Sequence, residues 1–137
     1  MPAAVGRLGL YQVNAWMTAL AATALFATVF TSDPNAASDP LSVEVLGSGY
    51  NRVQASFSRT GPGLITLDTV LVIPAIPPGA TGVWVGFMDA AANGHLIASD
   101  LIRDPLTGIA TPRSYPAGGT FVIPAGEYTI GIDAQVA

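Results

Sequence analysis

The sequence predicts a mainly β protein, a β-sandwich or jelly roll with one N-terminal α-helix. Three observations lead there. From Leu25 onward, short alternating or β-branched runs follow one another, separated by Pro- or Gly-rich turns. Ahead of them, residues 8–24 repeat their apolar positions every three or four residues instead of every two. The 137 residues show no long-period repeat, so residues 1–137 read as a single domain large enough to bury a core without staples.

In the helical segment Leu10, Val13, Met17, Leu20 and Ala24 form the stripe, and Trp16 widens it beside Val13 and Leu20. Trp16, Met17 and Leu20 are thus the expected packing residues, against the sheet or a neighbouring molecule. Leu25–Thr31 switches to a strand that is apolar on both faces, and hence expected to be covered on both. Residues 32–40 form a loop fixed by two Asp-Pro pairs.

Glu44–Ser58 is the stretch around which the rest is organised. It starts as a strand, breaks at Gly47-Ser48-Gly49 and resumes as a second strand. Val53, Ala55 and Phe57 then share one face, with Arg52, Gln54, Ser56 and Ser58 on the other. Tyr50 and Arg52 are the candidates for positioning the bend, with Arg52 expected to pair with Glu44 across it. Arg59–Gly63 reads as a turn, Leu64–Ile73 as one strand, and Pro74–Gly82 as a stiff connection, since proline supplies no ladder donor. Val83–Met88 and His95–Ile102 flank a loop ending in Asn93-Gly94, a strong hairpin signal. Residues 103–119, rich in proline and glycine, read as an extended loop or arm, and Thr120–Asp133 as a final hairpin around Pro124-Ala-Gly126.

Composition narrows the function. Charged residues are 10% of the chain, against about 25% in an average soluble domain. The mean hydropathy is +0.50 and half the residues are apolar. Such a chain either enters a membrane or has much of its surface covered by neighbours. Leu8–Ser32 is uncharged and long enough to span a bilayer, but six polar residues interrupt it and no basic cluster anchors its end. The same polar residues argue against a signal peptide. The expectation is a chain outside the membrane. A net charge of −4, with arginine as the only base, excludes nucleic-acid binding through a basic patch. Interfaces deplete lysine and keep arginine, so the absence of lysine points either to protein neighbours or to GC-rich coding.

No catalytic, cofactor or metal site is expected. His95 is the single histidine, and Gly47-Ser48-Gly49 lacks the outer residues of a nucleophile elbow. Asp100 and Asp104 share a face only on a helix, which Pro105 and the β pattern oppose. The aspartates of residues 32–40 suit turns better than calcium. The glycine-rich segments lack the lysine of a phosphate cradle.

At Ser32-Asp33-Pro34, Glu44-Val45 and Gly47-Ser-Gly-Tyr-Asn-Arg52 the chain resembles a family of small bacteriophage virion proteins. These are usually called phage tail fibre or minor tail proteins and are common in phages of actinobacteria. The likeness continues through Gly86-Phe-Met-Asp89-Ala90, Asn93-Gly94-His-Leu-Ile-Ala98 and Ile123-Pro-Ala-Gly126. It implies a non-enzymatic virion structural protein, decorating the capsid or associated with the tail. The protein would act as a symmetric oligomer of identical copies, a trimer by analogy with viral surface proteins, beside the major capsid or tail proteins. A host-surface carbohydrate-binding tail module is the alternative. Of Trp84, Tyr115 and Tyr128, only Tyr115, on the arm, is credible as its exposed aromatic.

Overall fold

A computed structural model describes residues 9–104 and 106–132. The chain is mainly β with one helix near its N-terminus, and its antiparallel sheets are arranged as a sandwich. The helix, α1, runs Leu10–Ala22, shorter than the expected 8–24, of which residue 8 lies outside the described residues. Its N-cap is Gly9, with no side-chain cap, no acid in the first turn and no base in the last. Without capping or charge to help it, α1 depends on what it buries. Val13 and Met17 are fully buried and Leu20 packs beside them. Trp16 does not join that stripe: it lies about 80° round the helix from the centre of the buried arc, and its ring is 47% exposed.

Strand β1 (Leu25–Phe30) occupies an inner place in a four-stranded antiparallel sheet. Its neighbours are β2 (Val53–Ala55) and β7 (Trp84–Met88), and β8 (Leu96–Leu101) forms the edge beyond β7. Leu25, Ala27 and Val29 face the sandwich core. Thr28 and Phe30 point the other way and are equally buried, so the strand is covered on both faces as its apolar run predicts. Gly86 allows one of those covers: a Cβ there would stand 2.6 Å from Cε2 of Phe30.

The second layer contains β3 (Phe57–Gly61), β4 (Leu64–Leu67) and β11 (Thr129–Gly131) as one sheet, and β5 (Leu71–Ile76) with β10 (Gly119–Ile123) as another. A small pair, β6 (Ala80–Gly82) and β9 (Arg113–Tyr115), completes it. Helix α1 packs on β3 and β4. Asn14 Oδ1 fastens it there, accepting the Gly63 amide and Arg59 Nη2, both at 2.9 Å. Between the layers Phe87 meets Phe57 and Tyr128 edge-on, at centroid distances of 5.1 and 4.7 Å. Burial, reinforced by the Asp100 charge, pushes the Tyr128 phenol above its ordinary pKa.

Several expected elements are rearranged. Glu44 contributes a single bridge to Phe30 rather than a strand, after a 3-10 turn over Pro40–Val43 whose cap is Asp39. The following strand is split at Ser56, because the chain leaves the first sheet there and enters the second; the Ser56 carbonyl accepts the Asp68 amide. The turn after it is narrower than Arg59–Gly63, since β3 continues to Gly61. Leu64–Ile73 is likewise two strands, parted at residues 68–70. Thr120–Asp133 does not close into a hairpin, and Asp133 lies outside the described residues. Instead Leu64 pairs with Gly131, Thr66 with Thr129, Leu71 with Ile123 and Ile73 with Phe121. The two segments form one bent antiparallel ribbon that crosses from one small sheet to the other. Leu67 holds the corner, donating to the Tyr128 carbonyl and accepting from the Gly126 amide.

Pro74 does lie in a strand, contrary to the stiff connection expected over Pro74–Gly82, and β6 forms the end of that stretch. Strand β5 pairs with β10 alone, and its register slips by one residue between Ile73 and Ile76, where Ala75 has φ 60°. A bulge on an edge is where proline is tolerated. The arm expected over 103–119 is also partly ordered, because β9 pairs with β6, Arg103 bridges Ala110 and Pro116 bridges Gly118.

The contrast along α1 gives a direct check. Met17→Ala should cost about 2–5 kcal/mol in urea unfolding. Trp16→Ala should stay within about 0.5 kcal/mol.

Candidate functional site

The turn at Gly47–Tyr50 lays one short stretch of chain across the outer face of β1. The Tyr50 amide reaches the Gly47 carbonyl at 3.2 Å, and Gly49 supplies the positive φ of 80° that the turn requires. Tyr50 and Arg52 consequently point the same way, onto Thr28. Glu44, held by its bridge to Phe30, points at the same spot from the other arm of the turn.

These residues form a closed polar cluster. Arg52 grips Glu44 side-on, Nε to Oε2 and Nη2 to Oε1 at 2.8 Å each, with side chains only 4% and 8% exposed. Its Nη1 donates to two carbonyls of the β7–β8 loop, Ala90 at 2.8 Å and Asn93 at 2.7 Å. Thr28 Oγ1 donates to Glu44 Oε2 at 2.6 Å and lies 2.8 Å from the Tyr50 hydroxyl, which accepts the Val29 amide at 2.9 Å. An ionised carboxylate only accepts, and each hydroxyl has one proton. The order is therefore fixed: Val29 amide to Tyr50, Tyr50 to Thr28, Thr28 to Glu44.

The electrostatics follow from that order. Burial alone would raise the Glu44 carboxyl, but the hydrogen bonds from Arg52 and Thr28 and the guanidinium charge outweigh it, and the pKa lies below its ordinary value. Burial keeps the Tyr50 phenol above its ordinary pKa, so it stays a donor. The loop carbonyls are presented by a second, exposed brace. Asp89 accepts the His95 amide at 2.7 Å and its ring Nδ1 at 3.1 Å, while Asn93 and Gly94 turn the chain with φ of 56° and 74°. Both Glu44 oxygens are engaged within the chain, Oε2 by Thr28 and Arg52 and Oε1 by Arg52. Chemically, the cluster binds four pieces of backbone to one another.

The expected site residues separate into three places. Tyr50 and Arg52 come together, with Glu44, in this cluster. Met17 and Leu20 pack in the core while Trp16 lies outside it. Tyr115, expected to be displayed on an arm, is instead 9% exposed, stacked against Gly119 in the interior, with its hydroxyl buried and without a hydrogen-bond partner among the described residues. Tyr128 is half-buried against the core, edge-on to Phe87. Sequence reasoning missed Thr28, whose signal is a polar residue within a strand otherwise apolar on both faces. The backbone carbonyls of Ala90 and Asn93 have no side-chain signal at all. Asp33 and Asp39 accept local amides from Asn35 and Leu41, at 2.9 and 3.0 Å, as turn chemistry predicts.

Arg52→Ala leaves Glu44 charged, buried and unpaired, and should cost about 3–5 kcal/mol in chemical unfolding. The acid limit carries a sign. A carboxylate whose folded pKa is depressed stabilises fully above the unfolded value of about 4.3, and its contribution is lost as pH falls through the lower folded value. Wild type should therefore lose more stability between neutral pH and pH about 3 than Glu44→Gln does; equal losses would contradict this assignment.

A family model described as Podophage GP4 fiber I protein gp80 matches residues 12–131. No curated protein matches the chain. The matched span takes in α1 from Gln12 onward, all of the strands and the whole Glu44–Arg52 cluster. The chain thus belongs to this family of phage fibre proteins, and its role is that of a structural, virion-associated component.

Proposed function

We propose that this chain is a non-enzymatic surface component of a phage particle, decorating the capsid or associated with the tail. Identical copies would assemble symmetrically, as a trimer by analogy with viral surface proteins, against the major capsid or tail proteins. The observation that supports this best is how the buried polar groups are used. Glu44, Arg52, Thr28 and Tyr50 bond one another and nearby backbone, and the His95–Asp89 pair braces an exposed loop. Glu44, Tyr50 and Arg52 border an open cavity of about 370 Å³, but every oxygen and nitrogen of their side chains already holds a hydrogen bond within the chain.

Such a brace suits a protein that must keep its shape outside a cell. It joins β1, the turn, β2 and the β7–β8 loop, so that contact forces on one are shared by the others. Each added copy also stabilises the folded protomer, since whatever binds only the folded state shifts the folding equilibrium.

Mass spectrometry and electron cryomicroscopy of purified particles test the proposal. The chain should be present in symmetric sets of copies. Hundreds per particle would mark capsid decoration and a few would mark the tail. Absence from purified particles, or solitary copies without symmetry, would overturn it.

A further inference from the structure

The turn between β8 and β9 holds two aliphatic side chains out from the surface, Leu106 at 94% and Ile109 at 65% exposure. The turn itself is not loose. The amides of Asp104, Leu106, Thr107, Gly108 and Ile109 each have an acceptor: the Ile109 carbonyl, Asp104 Oδ1 twice, the Asp104 carbonyl and Thr107 Oγ1. Arg103 steadies it from below, bonding the Gly108 carbonyl at 3.2 Å while paired with Asp100. Two large apolar groups are thus presented on preorganised backbone, which lowers the entropic cost of docking them.

On α1 the most exposed large apolar side chain is Tyr11, at 88%, about 140° round the helix from Trp16. Between α1 and β3 runs an open groove of about 410 Å³, lined by Tyr11, Asn14, Ala15, Thr18 and Arg59. The charges beside the two features are opposite. Arg52 is spent on Glu44 and Arg103 on Asp100, Arg113 stands over the Phe121 ring, and Arg59 at the groove has only neutral partners among the described residues: Asn14, Thr18 and Gly61. At the base of the turn stands Asp104, whose described partners are amides.

We infer that the Leu106–Ile109 turn of one copy docks into the α1 groove of a second copy, with Asp104 approaching Arg59. In a chain of net charge −4, copies repel at most orientations, and this one joins the uncharged turn to the uncharged helix face with a favourable charge at the rim. The contact is heterologous, because turn and groove are different surfaces. Repeated head to tail with a closing rotation, it makes a ring. The inference rests on the symmetric assembly proposed above and names the surfaces that would make it.

Sedimentation velocity on the full-length chain tests it with two variants whose changes lie on exposed positions. Leu106→Asp with Ile109→Asp removes the turn's apolar groups and keeps the groove; Tyr11→Asp with Ala15→Asp spoils the groove and keeps the turn. Circular dichroism and the melting temperature establish that both fold. Each variant alone should be monomeric where wild type associates, with the dissociation constant raised about tenfold or more. An equal mixture should give a one-to-one dimer, since one intact turn meets one intact groove. Wild type that stays monomeric, variants that associate like wild type, or a mixture that stays monomeric would each overturn the inference. Particle composition is judged separately: a chain found in virions yet monomeric in solution defeats the docking contact alone, and absence from virions defeats the assembly reading.

Discussion

A carboxylate and a guanidinium withdrawn from water are costly unless each finds every partner it needs, and the structure around Glu44 and Arg52 supplies them. Each ion alone would cost several kcal/mol to bury, by about as much as breaking such a pair does. That penalty is offset here by a side-on double contact, two loop carbonyls and a threonine hydroxyl. The cluster in turn fixes what surrounds it. It sets where the chain crosses β1, how the Gly47–Tyr50 turn is oriented, and which way the β7–β8 loop faces. The outer face of β1, which an apolar strand cannot leave to solvent, is closed by these same residues.

The specificity matters more than the energy. An apolar lid over Thr28 and Phe30 would bury similar area, and it would leave the lid free to slide. The bidentate fork permits one register between Glu44 and Arg52, and the hydrogen-bond chain through Tyr50 and Thr28 runs in one direction only. A virion component needs that uniqueness, because identical copies must present identical surfaces to be packed by symmetry.

Legibility in the sequence divides along the same physical line. Where the signal is local, it is readable: the period of α1, the two-sided burial of β1, the Asn93-Gly94 turn and the pairing of Arg52 with Glu44 eight residues away. Where partners are distant, it is not. Pro124-Ala-Gly126 looks like a hairpin turn, yet β10 and β11 pair with β5 and β4, some sixty residues earlier, and make only a corner. Pro74 looks like a strand-breaker, yet an edge with a bulge accepts it. Tyr115 looks like a displayed aromatic because prolines and glycines surround it, but pairing of β9 with β6 turns it inward. Trp16 is half exposed instead of joining the core stripe, since hydrophobicity alone does not tell a ring that packs within the chain from one that projects. Half of the cluster could be read from its charged pair; the loop carbonyls that complete it belong to backbone, which composition does not encode.

Glu44 and Arg52 act as one unit on which the neighbouring strands depend. A double-mutant cycle with Glu44→Ala, Arg52→Ala and the double variant, read by urea unfolding at neutral pH, measures that directly. The predicted coupling is above about 2 kcal/mol, within the range found for charged groups in one network. A coupling below about 0.5 kcal/mol, the level of a pair exposed on a surface, would contradict the claim.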